Sequence, residues 1–240
     1  MNRNIYAGAA ALAAIVSAAA AQATTVIIPS TADIFLASQP GGTSISGFFG
    51  SDTAPGNSPV GFSVTAGDTI TETATGTTSV DASCFAGADG GCYPDESFFS
   101  PGPASGTYKG PSDALIGVFL GPGVTSVANG PPSLDYTISA NTGLVTQSPA
   151  LNQIFFLGDG VTDTAALQQF VAPAGATRLF LAAADSYGSS TGNLGALTVN
   201  ISGATPIAAP EPAGWALMML GLGVVGAQLR RRLAPGVPVA

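Results

Sequence analysis

Residues 69–78 read TITETATGTT, and this stretch decides the fold class. Threonine occupies every second position from Thr69 to Thr77, a period of two that places these side chains on one face of a β-strand. Threonine is β-branched and suits the solvated face of a sheet. Asp68 before the run and Gly76 near its end are residue types common in turns. The stretch therefore predicts a strand with one polar, solvated face.

Short runs of the same kind recur along the chain. Eight further runs are apolar or alternating, and each is bounded by Gly, Pro, Asn or Asp. They are TTVII, GFSVTA, ALIGVFLG, LDYTIS, NQIFFLGDG, LQQFVAP, RLFLAAAD and ALTVNIS, beginning at residues 24, 61, 114, 134, 152, 167, 178 and 196. No long stretch shows helical periodicity. We therefore predict an all-β fold, an antiparallel β-sandwich.

The central part of the chain is strongly acidic. Between residues 24 and 209 there are thirteen acidic residues but only two cations, Lys109 and Arg178. Nucleic-acid binding needs clustered Lys and Arg to neutralise phosphates, so the composition excludes nucleic acid as a partner. An acidic surface of this kind suits divalent cations or neutral polar ligands.

Histidine is absent from the sequence. Ser-His-Asp hydrolases, enzymes with Cys-His nucleophiles and HExxH zinc proteases are therefore excluded. Catalysis by carboxylates alone, as in glycosidases, stays open, but no spacing identifies a particular pair of acids. We expect a noncatalytic protein.

The first residues have the pattern of an export signal. Arg3 precedes an apolar stretch at residues 7–21, and Ala21-Gln22-Ala23 has the small-x-small form of a signal-peptidase site. We predict that residues 1–23 are a removed signal peptide rather than a buried Ala-rich helix.

A second uncharged apolar stretch lies at residues 213–229. Its length is at the short limit for crossing about 30 Å of hydrocarbon. Trp215 supplies an interfacial anchor, and the following arginines, Arg230, Arg231 and Arg232, favour the cytoplasmic side. We predict a transmembrane helix that leaves the upstream part outside the membrane.

The end of the chain resembles the PEP-CTERM sorting tail of Gram-negative bacteria. Pro210-Glu211-Pro212, the apolar span and the three arginines carry the resemblance over residues 208–232. It implies export through an inner-membrane intermediate, processing near Pro-Glu-Pro by an exosortase-type enzyme, and a final place at the cell surface or outside. The predicted layout is signal peptide 1–23, β-sandwich ectodomain 24–203, linker 204–209, sorting and anchor segment 210–232 and tail 233–240.

Export places the two cysteines in an oxidising compartment. Cys84 and Cys92 are separated by FAGADGG, whose glycines allow the chain to turn back. We expect a disulfide. A metal site is less favoured because there is no histidine and no second cysteine pair to complete a zinc shell.

Four segments of the ectodomain resemble, in order and spacing, bacterial galactophilic lectins of the PA-I type. The segments are TAGDTITETATG, CYPDE, ALIGVFLG and the run from LQQFVAP to LTVNIS. The resemblance implies a jelly-roll-like, galactose-binding-like β-sandwich in which one calcium ion bridges the protein and the hydroxyls of a sugar.

The resemblance also implies a site. Asp185 and the pair Tyr187-Gly188 match the start of the lectin's calcium loop, Ser189 and Ser190 stand where the lectin has two Asn, and a further ligand falls near Val80 or Asp81. Tyr93, Asp95 and Glu96 lie in the segment similar to the one that contacts sugar. Tyr93 would stack on a sugar ring and Glu96 would accept hydroxyl hydrogen bonds.

These observations lead to an expected function with two alternatives. We expect an exported surface or matrix protein whose ectodomain binds carbohydrate or exopolysaccharide, with calcium as the implied cofactor. A structural matrix protein without a ligand site is the first alternative. A carboxylate-dependent enzyme acting on polysaccharide is the remote one.

Overall fold

The computed structural model describes residues 23–93, 96–99, 107–124 and 130–207, with residues 96–99 described by their backbone. Within these ranges the chain forms fourteen strands, one four-residue α-helix, α1 (Ser139–Thr142), and short 3-10 helices at Ile34–Leu36 and Ser190–Gly192. The all-β prediction is confirmed.

The first sheet has five strands and is built around the threonine run. Its order is β1 (Thr24–Pro29), β13 (Leu194–Ser202), β5 (Thr69–Ser79), β11 (Gln169–Val171) and β9 (Thr146–Gln147). Neighbouring strands are antiparallel except β11 and β9, which run parallel. The pairing of β11 with β9 therefore departs from the predicted antiparallel arrangement at this edge of the sheet.

The alternation predicted for β5 is present in the structure. Ile70, Glu72 and Ala74 are buried, and the intervening Thr73 and Thr75 are exposed. β5 pairs with β13 from Thr71 to Ser79. One face of the strand therefore covers the core and the other is solvated, as the period of two requires.

The second sheet contains the continuous apolar runs. Its order is β10 (Ile154–Phe156), β8 (Leu115–Leu120), β12 (Arg178–Ala183), β4 (Val60–Ser63) and β14 (Thr205–Pro206), all antiparallel. All six residues of β8 are buried, as are five of the six in β12. Since both faces of these strands are covered, apolar residues occur at consecutive positions.

Two hairpins complete the described strands. β2 (Ser44–Ser46) pairs with β3 (Ser51–Thr53), and β6 (Glu96–Phe99) pairs with β7 (Thr107–Gly110). The turn between β2 and β3 has the sequence GFFG.

One hydrophobic core receives side chains from both five-stranded sheets. The ring of Phe170 in the first sheet lies 5.6 Å, centroid to centroid, from that of Phe155 in the second. Phe155 in turn stacks on Phe119 at 5.2 Å. Two sheets that share a core are consistent with the predicted sandwich. Its assignment to the jelly-roll, galactose-binding type stays a prediction.

The structure corrects two local predictions. The run LDYTIS, at residues 134–139, forms turns and the start of α1 rather than a strand. Its Asp135 side chain accepts from the Thr137 backbone N–H at 3.1 Å, a local bond that competes with sheet pairing. Gly76 lies inside β5 with a φ of +112°, and a Cβ there would be 2.4 Å from the Ala196 carbonyl oxygen. Close strand approach, and not a turn, explains this glycine.

The predicted signal peptide at residues 1–23 lies outside the described residues except for residue 23, and the predicted transmembrane helix at residues 213–229 lies wholly outside them. Among the residues that are described, none belongs to a helix of sufficient length and hydrophobicity to cross a membrane.

Candidate functional site

A cavity of about 420 Å³ lies where several loops converge. Two of these segments are the β2–β3 turn and the residues after β5. The others are the end of the loop that the Cys84–Cys92 disulfide closes, the turn before β8 and the loop after β12. The lining residues are Phe49, Val80, Asp81, Tyr93, Ser112, Asp185, Ser186 and Ser189. The cavity thus brings together four residues that the sequence singled out far apart in the chain: Asp81, Tyr93, Asp185 and Ser189.

The first wall is the disulfide loop. The Cys84–Cys92 disulfide is present, as predicted, with the two Cα atoms 5.9 Å apart. Asp81 Oδ1 accepts from the backbone N–H of Ser83 at 2.8 Å, and Asp81 Oδ2 accepts from the Tyr93 hydroxyl. The bond from Tyr93 and those from Ser83 hold the pKa of the exposed Asp81 down, at about 2. This carboxylate is therefore ionised and fixed against the tyrosine.

The second wall begins where β12 ends. Asp185 Oδ1 accepts from the Ser186 backbone N–H at 2.6 Å, and Oδ2 accepts from Asn193 Nδ2 at 2.8 Å. Burial raises the pKa of Asp185 to about 6, although these two donors oppose the rise. Both oxygens already have protein partners, so Asp185 offers a ligand only its remaining lone pairs.

Ser112 and Asp113 form the third wall and were not singled out from the sequence. Ser112 lines the cavity, is 1% exposed, and its hydroxyl has no hydrogen-bond partner. Asp113 is fully buried, and neither carboxylate oxygen makes a hydrogen bond of normal geometry. Burial first, and then the charge of Asp185, raises the pKa of Asp113 to about 6. The unsatisfied acceptors of the site are concentrated here.

Two buried aspartates hold the loop after β12 in place. Asp33 Oδ2 accepts from the Gly188 backbone N–H at 2.9 Å, and Asp52 Oδ2 accepts from the Ser190 backbone N–H at 2.7 Å. The Thr191 hydroxyl also donates to Asp52. Burial and the neighbouring Asp52 raise the pKa of Asp33 to about 8. These carboxylates position the loop and do not line the cavity.

The same loop packs tightly on the β2–β3 turn. A Cβ on Gly47 would lie 1.8 Å from the carbonyl oxygen of Tyr187, which no real contact permits. Gly188 has a φ of +66°, and a Cβ there would lie 2.5 Å from the backbone nitrogen of Gly47. Glycine at both positions therefore allows the two backbones to touch.

Exposed aromatic rings surround the opening. Phe48 and Phe49 occupy the β2–β3 turn, are 91% and 78% exposed, and meet edge to face at 4.8 Å. Tyr93 is 41% exposed. Of these, Phe49 and Tyr93 line the cavity. Phe48 and Phe49 together form an exposed apolar patch, a feature found at interaction sites.

A calcium centre at Asp185 and Asp81 would need several free oxygens. The carboxylate oxygens of both residues accept from protein donors. Ser189 Oγ donates to the Tyr187 carbonyl oxygen, and Ser190 is buried outside the cavity lining. Across the described ranges, no three His, Cys, Asp or Glu side chains gather as a metal site requires. The described side chains therefore do not by themselves assemble a calcium centre, and calcium stays a prediction.

The remaining predicted residues contribute no side-chain geometry. Glu96 begins β6, where only the backbone is described, and Asp95 lies outside the described residues. The sorting residues Pro210, Glu211, Pro212, Arg230, Arg231 and Arg232 lie outside them as well.

The cations of the described residues are engaged elsewhere. Lys109 forms an ion pair with Asp135. Arg178 donates to the carbonyl oxygens of Gly121 and Gly123. Neither cation lines the cavity, whose ionisable groups are two aspartates and a tyrosine.

The comparisons with known proteins identify the tail. Residues 208–232 match the family model of the PEP-CTERM protein-sorting motif. This signal implies an exported protein, sorted and processed by an exosortase and destined for the cell envelope or surface. No curated protein and no solved structure matches the chain. The resemblance of the ectodomain to galactophilic lectins therefore has no support from a relative.

Proposed function

We propose that this exported protein is a noncatalytic carbohydrate-binding protein of the cell surface or extracellular matrix, with exopolysaccharide as its ligand. The cavity that combines the exposed rings of Phe49 and Tyr93 with carboxylates carries the proposal. Sugar rings present apolar faces to aromatic side chains and hydroxyls to polar acceptors. The lining supplies both kinds of contact within one volume.

The size and rigidity of the cavity agree with this role. About 420 Å³ is within the usual range for small-ligand sites and suits one or two sugar residues of a longer chain. The Cys84–Cys92 disulfide and the bonds from Asp33 and Asp52 fix the surrounding loops. A pre-formed site loses little conformational entropy when its ligand binds.

The hydrogen bonds made by the lining carboxylates favour binding over catalysis. The carboxylate oxygens of Asp81 and Asp185 are held by protein donors, so neither residue is presented as a free nucleophile or base. Calcium stays a prediction, and no contact of the proposed complex depends on it.

The test is affinity for glycans, measured by isothermal titration of the purified protein with the producing cell's exopolysaccharide and defined oligosaccharides, with calcium and with chelator. The key variant is Phe49→Ala. Loss of a ring that buries part of its surface on a sugar removes about 1.5 kcal/mol, which weakens binding roughly tenfold.

Phe85→Ala is the matched control, because Phe85 is 53% exposed but does not line the cavity. Its affinity should equal that of the unaltered protein. If no glycan binds saturably, the carbohydrate proposal is wrong and the structural matrix alternative takes its place. Release of reducing ends from the polysaccharide would instead show an enzyme.

A further inference from the structure

The unsatisfied acceptors of the cavity identify a class of ligand. We propose, on the basis of the carbohydrate-binding function above, that the cavity selects glycans that carry free, protonated amino groups: unacetylated amino sugars, in preference to neutral, N-acetylated or acidic ones. The proposal depends on the charge of the lining, on buried groups without partners, and on the aromatic rings at the opening.

The electrostatic field in the cavity is negative. Asp81 and Asp185 line it, and Asp113 follows directly after the lining residue Ser112. Both cations of the described residues are engaged away from the lining. Such a field attracts an ammonium group and repels the carboxylate of a uronic acid.

The wall formed by Ser112 and Asp113 lacks well-placed hydrogen-bond donors. The hydroxyl of Ser112, a lining residue, is buried and has no hydrogen-bond partner. Behind it, the buried Asp113 carboxylate is approached by the Val80 backbone N–H and the Thr78 side chain, but neither of its oxygens makes a hydrogen bond of normal geometry. An unpaired buried acceptor costs free energy that a donor from a ligand would restore. An ammonium group has three donors and a positive charge, so it can satisfy Ser112 and offset the repulsion between Asp113 and Asp185 together. A sugar hydroxyl supplies one donor and no charge.

The rings at the opening favour the same ligand. Phe49 and Tyr93 present aromatic rings to the cavity, and a cation near such a ring gains attraction from its π electrons. Acetylation of the amine removes the positive charge, and therefore removes both this attraction and the attraction to the carboxylates. Selectivity should follow the charge of the amine more than the identity of the sugar ring.

The test compares three tetrasaccharides by isothermal titration with the purified protein at neutral pH: a glucosamine tetramer, its fully N-acetylated form and a neutral glucose tetramer. We expect the amine form to bind at least tenfold more tightly than either of the others. Added salt should weaken its binding more than that of the neutral tetramer, because screening acts on the ionic part.

Asp113→Asn is the informative variant, since it keeps the shape and removes one buried charge. It should lower the preference for the amine form about tenfold. Asp185→Asn is a second variant for the same purpose, and thermal unfolding establishes that each is folded. Asp163→Asn removes a charge from an exposed residue outside this cavity and should leave the preference unchanged.

The possible outcomes separate the two proposals. Equal binding of all three tetramers refutes the selection for amines while carbohydrate binding stands. No binding of any tetramer or of the exopolysaccharide refutes carbohydrate binding itself. Equally tight binding of an oligolysine of the same charge, or an effect of Asp163→Asn as large as that of Asp113→Asn, would show that only the overall charge of the protein matters.

Discussion

Raising the pH should destabilise this protein, and Asp33 provides the main reason. Its side chain is 2% exposed, and burial together with Asp52 raises its pKa from 3.8 to about 8. In the unfolded chain Asp33 loses its proton near pH 4, whereas in the folded protein it keeps the proton up to about pH 8. The folded state therefore binds more protons between these values, and stability falls as the pH rises through this window.

The size of the loss follows from the two pKa values. Each pH unit between 3.8 and about 8 corresponds to about 1.4 kcal/mol, so Asp33 accounts for at most about 6 kcal/mol. A typical domain has a total stability of about 5–15 kcal/mol. Burial also raises the pKa values of Asp113, Asp185 and Glu72, so these groups act in the same direction. We expect a loss of several kcal/mol between pH 5 and pH 8.

The assay is urea unfolding of the purified protein at a series of pH values from 5 to 9, with the free energy of unfolding extrapolated to zero denaturant. Asp33→Asn removes the titrating group and should flatten the curve. At pH 5 this variant should be less stable by about 1–2 kcal/mol. The reason is that an amide nitrogen cannot accept from one of the two backbone N–H groups, of Phe35 and Gly188, that Asp33 binds.

Asp163→Asn is the matched control, because it alters an exposed aspartate and should change stability by less than about 0.5 kcal/mol. A free energy of unfolding that stays constant or rises between pH 5 and pH 8 would refute the reasoning. So would an Asp33→Asn variant whose pH dependence equals that of the unaltered protein.

Two further predictions concern the loops around the cavity. Replacing Cys84 and Cys92 together by serine removes the covalent link across a loop of sequence separation 8 and should lower the free energy of unfolding by about 2.5 kcal/mol. The loss is measured as a lower denaturation midpoint, and glycan affinity should fall as well. An unchanged midpoint would contradict this. Gly47→Ala forces a Cβ against the Tyr187 carbonyl oxygen and should destabilise the protein by more than 2 kcal/mol. Gly87→Ala, whose Cβ would enter open space, should not. Equal denaturation midpoints for the two variants would show that the Gly47 contact relaxes freely.

The strands could be predicted from sequence because their cause is local. The sequence shows which faces of a strand are buried: one face in the period-two run of β5, and both faces in the continuous apolar runs of β8 and β12. The structure confirms these three strands. LDYTIS failed because Asp135 bonds to the backbone of its own turn, a competing interaction that hydrophobic pattern does not register. The disulfide could be predicted because an exported chain offers its two cysteines no other pairing within the molecule.

The packing of the loops against one another could not be predicted from the sequence. Asp33 bonds to Gly188, 155 positions away, and Asp52 bonds to Ser190, 138 positions away. No local pattern relates such partners. The sequence GFFG at residues 47–50 does indicate a candidate site residue. Two aromatic residues between glycines at a turn cannot pack into the core, so their exposure points to Phe49.

The aspartates at the site differ in their hydrogen-bond partners and therefore in their roles. Asp33 and Asp52 accept from backbone N–H groups and fix the loop, so replacing them should affect binding through stability. Asp81 and Asp185, which the sequence nominated, face the cavity but have both oxygens engaged by the protein. Asp113 lies behind the cavity lining, and neither of its buried oxygens makes a hydrogen bond of normal geometry. Because protein donors compensate its charge less than they compensate those of Asp81 and Asp185, we expect the largest change in glycan selectivity at Asp113, through its charge and not through direct contact with the ligand.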